Sequence, residues 1–150
     1  MHCNAFSIVE TILNAPIGKI QHALEESLKC NVRLTVVEQN SSINQQFVRK
    51  ISISVTNIPI IRATVTFDAN LLPDYILNDI LMKKLSIGAI LEKNGIASGR
   101  RIKSLKLDLE KNRLYREYEI INDKFTWFVI YEEIDLDSLQ AILEPQFVKV

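Results

Sequence analysis

Two charged side chains that fall on apolar strand faces carry what chemistry this sequence offers. The segment Phe47-Val48-Arg49-Lys50-Ile51-Ser52-Ile53-Ser54-Val55 alternates apolar and polar residues. Successive side chains of a strand point to opposite faces. Phe47, Ile51, Ile53 and Val55 therefore share one face, and Lys50, Ser52 and Ser54 share the other. Arg49 falls on the apolar face. A guanidinium stays charged at any ordinary pH and is costly to bury unpaired. It calls for a carboxylate, from the protein or from a ligand, unless it snorkels to water at a strand end. Glu132 is the complementary case. It shares parity with Thr126, Phe128 and Ile130, whereas Glu133 shares parity with Phe125, Trp127 and Tyr131. Two arrangements are open. Arg49 and Glu132 pair with each other, which is the simpler one. Or they hold the two ends of a small anionic ligand, the arginine forking onto a carboxylate and the glutamate meeting a hydroxyl or ether oxygen.

Other chemistry is poorly provided for. Asn94-Gly95-Ile96-Ala97-Ser98-Gly99-Arg100 lacks the spacing and the following helix of a phosphate loop. No Gly-x-Ser-x-Gly elbow occurs. Cys3 and Cys30, like His2 and His22, stand in no disulfide or metal-ligand spacing, so no metal and no other cofactor is expected. The formal net charge is zero, which predicts neither a nucleic-acid nor a membrane partner. Arg100-Arg101, Lys103 and Lys106 are followed by acidic residues and read as mainly a solvated strand face. Met1 to Glu10 has no basic region followed by an apolar run, and no apolar stretch is long enough to cross a bilayer. With 47% hydrophobic and 24% charged residues, the expectation is a soluble protein of a reducing compartment. That compartment is the cytoplasm, or the plastid stroma if the chain is organelle-encoded.

The elements that must position Arg49 and Glu132 follow from periodicity. Ile8, Val9, Ile12 and Leu13 recur at helical spacing, as do Ile17, Ile20, Ala23, Leu24 and Leu28. Pro16 suits the first turn of the second helix, capped near Asn14. Strands are predicted over 31–39, around Arg49, and over 60–67, the last two joined by Thr56-Asn57-Ile58-Pro59 as antiparallel neighbours. Pro73-Asp74 opens a helical region, and Ser86 to Lys93 forms a short helix ending at Asn94-Gly95. Strands over 99–110, 114–121 and 124–133 follow, then a terminal helix over 135–143 capped by Asp135 or Asp137. The last strand is apolar on both faces, which predicts a central strand covered on both sides. The fold class is α+β: one domain, residues 1–150, with a single antiparallel sheet of about six strands and helices packed on it.

Over roughly residues 12–133 the order of these pieces resembles the chorismate lyase family, particularly its distant branch of small archaeal, cyanobacterial and red-algal plastid proteins. Phe47-Val48-Arg49-Lys50-Ile51 is similar to the family strand whose arginine grips the ring carboxylate. Ala63-Thr64-Val65-Thr66-Phe67 is similar to the next strand. Ser86-Ile87-Gly88-Ala89-Ile90-Leu91 resembles the family's Pro-Leu-Gly-x-x-Leu segment, whose backbone N–H at the Leu position, here Ile87, donates to the same carboxylate. Tyr131-Glu132-Glu133 lies where the family keeps a glutamate near the departing enolpyruvyl group. The sequence also departs from that pattern. Aligning Lys124 with the family's hairpin lysine puts Ile130 at the glutamate position, and Glu132 matches after a two-residue shift that keeps the face. A second family arginine falls on Ala63, and Arg62 beside it faces the other way. Asn14-Ala15-Pro16-Ile17-Gly18 replaces a Ser/Thr-rich lid entry.

The resemblance implies a lyase that converts chorismate to 4-hydroxybenzoate and pyruvate without a cofactor. Arg49 and Ile87 would bind the substrate, and Glu132 with Arg49 would be catalytic. The same fold serves as the small-molecule sensor of a group of bacterial transcription regulators. A non-catalytic module that binds an aromatic carboxylate is therefore the alternative expectation, although no helix-turn-helix is attached. An interaction protein in which Arg49 merely pairs with Glu132 is a third.

Overall fold

The computed structural model describes residues 4–144; His2 and Cys3 lie outside the described residues. Six strands form one antiparallel sheet: β1 (Val32–Ser41), β2 (Gln46–Val55), β3 (Ile58–Asp68), β4 (Gly99–Asp108), β5 (Arg113–Asn122) and β6 (Phe125–Asp135). Their order across the sheet is β1-β2-β3-β6-β5-β4. The β2–β3 connection is a tight turn at Thr56 and Asn57, both with positive φ. Two such residues give a hairpin turn the twist that its strands need.

Five α-helices are described: α1 (Ala5–Asn14), α2 (Ile20–Leu28), α3 (Asp74–Leu81), α4 (Ile87–Lys93) and α5 (Leu136–Leu143). They cover one face of the sheet and bury two apolar clusters. The first places Ile76, Ile80, Ile87, Ile90 and Leu91 of α3 and α4 against Phe47, Val65, Phe67, Ile120, Phe128 and Ile130. The second places Ile8, Ile12, Leu24 and Leu139 of α1, α2 and α5 against Val32, Ile53, Val55, Ile61, Leu114 and Ile134. Side chains cap the starts of α1, α4 and α5: Asn4 accepts from the Ser7 amide, Ser86 from Ala89 and Asp135 from Ser138.

Two expectations are corrected here. β6 is central, between β3 and β5, but it is covered on one face only. Phe125 and Tyr131, on the other face, are exposed. Their aromatic rings raised the apparent hydrophobicity of the strand without being buried. The second helix begins at Ile20, not at Pro16, and its N-cap Lys19 makes no side-chain cap. Residues 16–19 instead form a turn through Gly18, at φ +84°, which presses on the start of α4. A Cβ on Gly88 would lie 2.3 Å from the Gly18 backbone nitrogen, and one on Gly18 would lie 2.8 Å from the Gly88 carbonyl oxygen. Both obstacles are backbone, so only glycine at both positions permits this seam. Lys19 and Glu92 bridge it at 2.6 Å. At the far end of α4, Asn94 and Lys93 donate to Asp79 of α3 at 2.9 and 3.2 Å.

Gly88→Ala is therefore expected to part the seam and to cost about 1–3 kcal/mol, as overpacking does. Gly99→Ala meets nothing within 4 Å and should fall within about 0.5 kcal/mol of wild type. Urea denaturation of both variants checks the contrast.

Candidate functional site

Where the two apolar clusters meet, the sheet and helices leave a cavity of about 90 Å³. That is several times the roughly 10–15 Å³ that one water needs on this measure. The floor comes from the sheet: Ile51, Ile53, Ile61, Ala63, Val65, Ile120 and Ile130. The roof comes from Ile17, Gly18, Ile20 and Gln21, and from Ser86 to Ala89 at the start of α4. Arg100, Tyr118 and Glu132 complete the wall.

Sheet register explains which charges meet. One row of cross-strand partners runs Val36, Ile51, Ala63, Glu132, Arg116, Leu105. Glu132 thus faces Arg116 directly, and directly opposed side chains sit about 5 Å apart at Cβ. Arg116 Nε donates to Glu132 Oε1 at 2.7 Å, and Nη2 lies 2.7 Å from the same oxygen without the alignment of a hydrogen bond. Arg116 Nη1 donates to the Leu13 carbonyl. Tyr118 Oη donates to Glu132 Oε2 at 2.9 Å. Both guanidiniums of Arg116 and Arg100 lie against the Tyr118 ring, 4.8 and 5.1 Å from its centre, within cation–π range. Burial, and then the Glu132 charge, push the Tyr118 hydroxyl well above its ordinary pKa, so it stays a proton donor.

Arg49 is one row along, between Gln39 and Val65. It is fully buried. Nη2 donates to the Leu85 carbonyl at 2.6 Å, just ahead of α4. Its Nε and Nη1 have no partner among the described residues, and neither does the Gln39 side-chain oxygen. Desolvation lowers the Arg49 pKa from its ordinary range to about 10, so it remains cationic at neutral pH.

The simpler arrangement read from the sequence, Arg49 paired with Glu132, does not occur. Two strand spacings, about 10 Å, separate their strands, while Arg116 is the directly opposed neighbour of Glu132. Arg49 is not itself in the cavity lining. Its strand mate Ile51, its cross-strand partner Val65, and Ser86 and Ile87 beyond Leu85 are. Ile87 is the first residue of α4 and lines the cavity. Glu132, not Glu133, faces the cavity; Glu133 lies on the open face, paired with Arg113.

Sequence reading missed Arg116, Tyr118 and Arg100. The first two carried the same signal as Arg49, because Arg116 alternates with Leu114, Tyr118 and Ile120, all buried. Arg100 corrects the reading of its cluster as a solvated face. It opposes Ile120, and Nη1 donates to the Ala15 carbonyl at 2.5 Å. A bulge between Ile102 and Ser104 puts Lys106, of the same sequence parity as Arg100, on the opposite face, which hid it.

Comparison with solved structures places this arrangement in a known fold. The chain matches the effector domain of PhnF from Mycobacterium smegmatis with a TM-score of 0.58 at 10% identity, over 81% of this chain and 91% of that one. It matches PhnF from the same organism at 0.60 and 10% identity, over 82% of this chain and 66% of that one, just under two thirds. A GntR-family transcriptional regulator from Bacillus cereus matches at 0.48 and 15% identity, over 79% and 97%. No protein-family model and no curated protein matches. These findings overturn the assignment to the chorismate lyase family. The structures matched above a TM-score of 0.5 are PhnF and its effector domain, not a lyase. At these identities it is the fold that is shared: an antiparallel sheet with helices on it. No described helix is long and apolar enough to cross a membrane.

The Arg116–Glu132 pair yields a stability test. Removing one partner of a buried pair leaves an uncompensated charge and typically costs about 3–5 kcal/mol. Glu132→Leu should show that loss in urea denaturation. Adding Arg116→Met to it should restore much of the loss, because no lone charge remains. A double variant no better than the single would show that the pair is not what holds this end of the cavity.

Proposed function

We propose that the chain is a small-molecule binding module whose cavity takes a small organic anion with an apolar body, an aromatic carboxylate being the matching class. The observation that carries this reading is a surplus of buried positive charge. Arg100 and Glu132 line an apolar cavity, and two buried guanidiniums, Arg49 and Arg116, lie just behind its wall, against one buried carboxylate among the described residues, Glu132. Arg116 has claimed that carboxylate. Arg49 keeps two nitrogens without an acceptor, and Arg100 keeps its buried Nε. A ligand carboxylate would supply what the protein withholds, in the forked geometry that arginine favours. The isoleucines of the floor and Ile87 would cover the ligand's apolar part. Arg49 would take the anionic group at the end of the cavity bounded by Ile51, Val65 and Ile87.

Glu132 fits a supporting role better than a catalytic one. A general acid or base must reach the reacting group, and both oxygens of Glu132 are already engaged. Its charge orients Arg116 and Tyr118 instead. The fold shared with an effector domain agrees with binding as the activity.

The buried cation also gives a sign for stability. The folded-state pKa of Arg49, about 10, lies below its ordinary value, so the unfolded chain holds this proton more tightly. The cost of burying the charge is therefore fully present below about pH 10 and is relieved as pH rises through that value toward the unfolded one. At neutral pH a bound anion offsets it.

Calorimetric titration tests the reading. 4-Hydroxybenzoate should bind at one site, and the neutral 4-hydroxybenzamide at least about tenfold more weakly, as the loss of one charged hydrogen bond implies. Arg49→Lys should lose about 1.5–3 kcal/mol of affinity, since lysine keeps the charge but not the fork. Arg49→Met should match or exceed wild-type stability without ligand, as hydrophobic replacement of buried charge often does, yet gain no melting temperature from 4-hydroxybenzoate. Equal affinity in wild type and Arg49→Lys would remove Arg49 from the site. Clear destabilisation by Arg49→Met would make Arg49 a structural residue.

A further inference from the structure

An open groove of about 520 Å³ adjoins the cavity, between the turn at Gly18, α4 and the approach to β4. Pro16, Ile17, Ile96 and Ala97 give it apolar walls. The carboxylate among its lining residues, Glu92, is already bridged to Lys19 at 2.6 Å. Cavity and groove share three lining residues, Ile17, Gly88 and Arg100, which therefore form the partition between them. Ile17 and Gly88 belong to the seam where two backbones touch, and that part is locked. Arg100 is a side chain on the edge strand β4. Its Nη1 donates to the Ala15 carbonyl and its guanidinium lies on the Tyr118 ring, but Nε has no acceptor among the described residues. Arg100 is thus the part of the partition that a ligand can pass.

Register sets the direction of that passage. Arg49, Val65, Ile130 and Tyr118 form one cross-strand row. Its two ends stand three strand spacings apart, about 14 Å, and Arg100 lies on the ring at the far end. A carboxylate held at Arg49 therefore sends the rest of its ligand along the row, toward Arg100 and the groove. We infer that cavity and groove are one site for a long acid: a carboxylate at Arg49, an aromatic ring over the isoleucine floor, and an uncharged alkyl chain that leaves opposite the carboxylate and passes Arg100 into the groove. This rests on the reading of the cavity as a ligand site with Arg49 at its anionic end. The apolar walls cover the chain, and the Lys19–Glu92 bridge leaves no charge at that rim for a charged tail to answer. Arg100 then selects for ligand length, a property that the closed part of the site cannot supply.

Calorimetric titration with 4-methyl-, 4-propyl- and 4-pentylbenzoate, with 4-hydroxybenzoate as reference, tests this. Affinity should rise about threefold per added methylene, as burial of each predicts, so 4-pentylbenzoate should bind at least tenfold more tightly than 4-methylbenzoate. Ala97 is exposed and its carbonyl is held by Asn122 at 2.7 Å, so Ala97→Trp should keep the wild-type circular dichroism spectrum and fill the groove. It should cost 4-pentylbenzoate at least tenfold in affinity and 4-methylbenzoate less than twofold. A wild-type chain that binds 4-hydroxybenzoate but rejects 4-pentylbenzoate has a cavity closed at Arg100, which overturns this inference alone. Binding of 4-pentylbenzoate that Ala97→Trp leaves unchanged overturns the groove as the place of the chain. Tighter binding of 4-(4-carboxybutyl)benzoate than of 4-pentylbenzoate overturns the uncharged tail. Binding of neither 4-hydroxybenzoate nor any alkylbenzoate overturns the cavity as a ligand site, and this inference with it.

Discussion

The contact between Arg116 and Glu132 sets the character of the interior. Neighbouring strands bring the two side chains into direct opposition on the buried face, and the carboxylate's first oxygen is committed to Arg116. Tyr118 takes its second oxygen. Every other cation on that face must then find its counter-charge elsewhere. Arg100 settles on a backbone carbonyl and an aromatic ring. Arg49 has one carbonyl bond and a desolvated charge. Strand order thus assigns the one buried carboxylate to Arg116 and leaves Arg49 without a counter-charge among the described residues.

The cavity has a different origin. Two apolar clusters grow on one sheet face under different helices, and only the first turns of α2 and α4 reach the strip between them. Ala63 lies on that strip, where a larger side chain would fill the space. The turn at Gly18 roofs the strip by leaning on Gly88, and the absence of a Cβ on both residues lets the backbones touch. Close glycine packing here does what a lid helix would do, with fewer residues. It also ties the roof to α4, the same element whose approach carries the carbonyl that holds Arg49.

Much of this was legible from alternation alone. The parity of β2 put Arg49 on the buried face, and the parity of β6 separated Glu132 from Glu133. Two things were not legible. Which strands become neighbours decides whether Glu132 meets Arg49 or Arg116, and no local pattern encodes strand order. The bulge in β4 shifts parity after Ile102, so Arg100 was grouped with lysines that point elsewhere. Pro16 misled for a related reason: it suits a helix start, but Gly18 two residues on takes a left-handed backbone that a helix cannot contain. The family resemblance shared this weakness. Strand motifs of five or six residues report a sheet face and its spacing, which unrelated activities on one fold have in common.

A fully buried guanidinium with unused donors is expensive to keep. Stability alone would favour a methionine at position 49, since a hydrophobic side chain of similar length needs no partner. Structural reasons for retaining the arginine are thin. The Leu85 carbonyl that it holds belongs to a residue exposed enough to be solvated, and the Gln39 oxygen beside it is left unpaired. A neutral amide in any case offers no counter-charge. What the arginine does provide is a site that is incomplete until an anion arrives. Binding then repays a cost already present in the empty fold, so the most tightly held ligands are those that bring a carboxylate to the protein's own defect. That coupling gives a binding module selectivity for charge without any residue that must move.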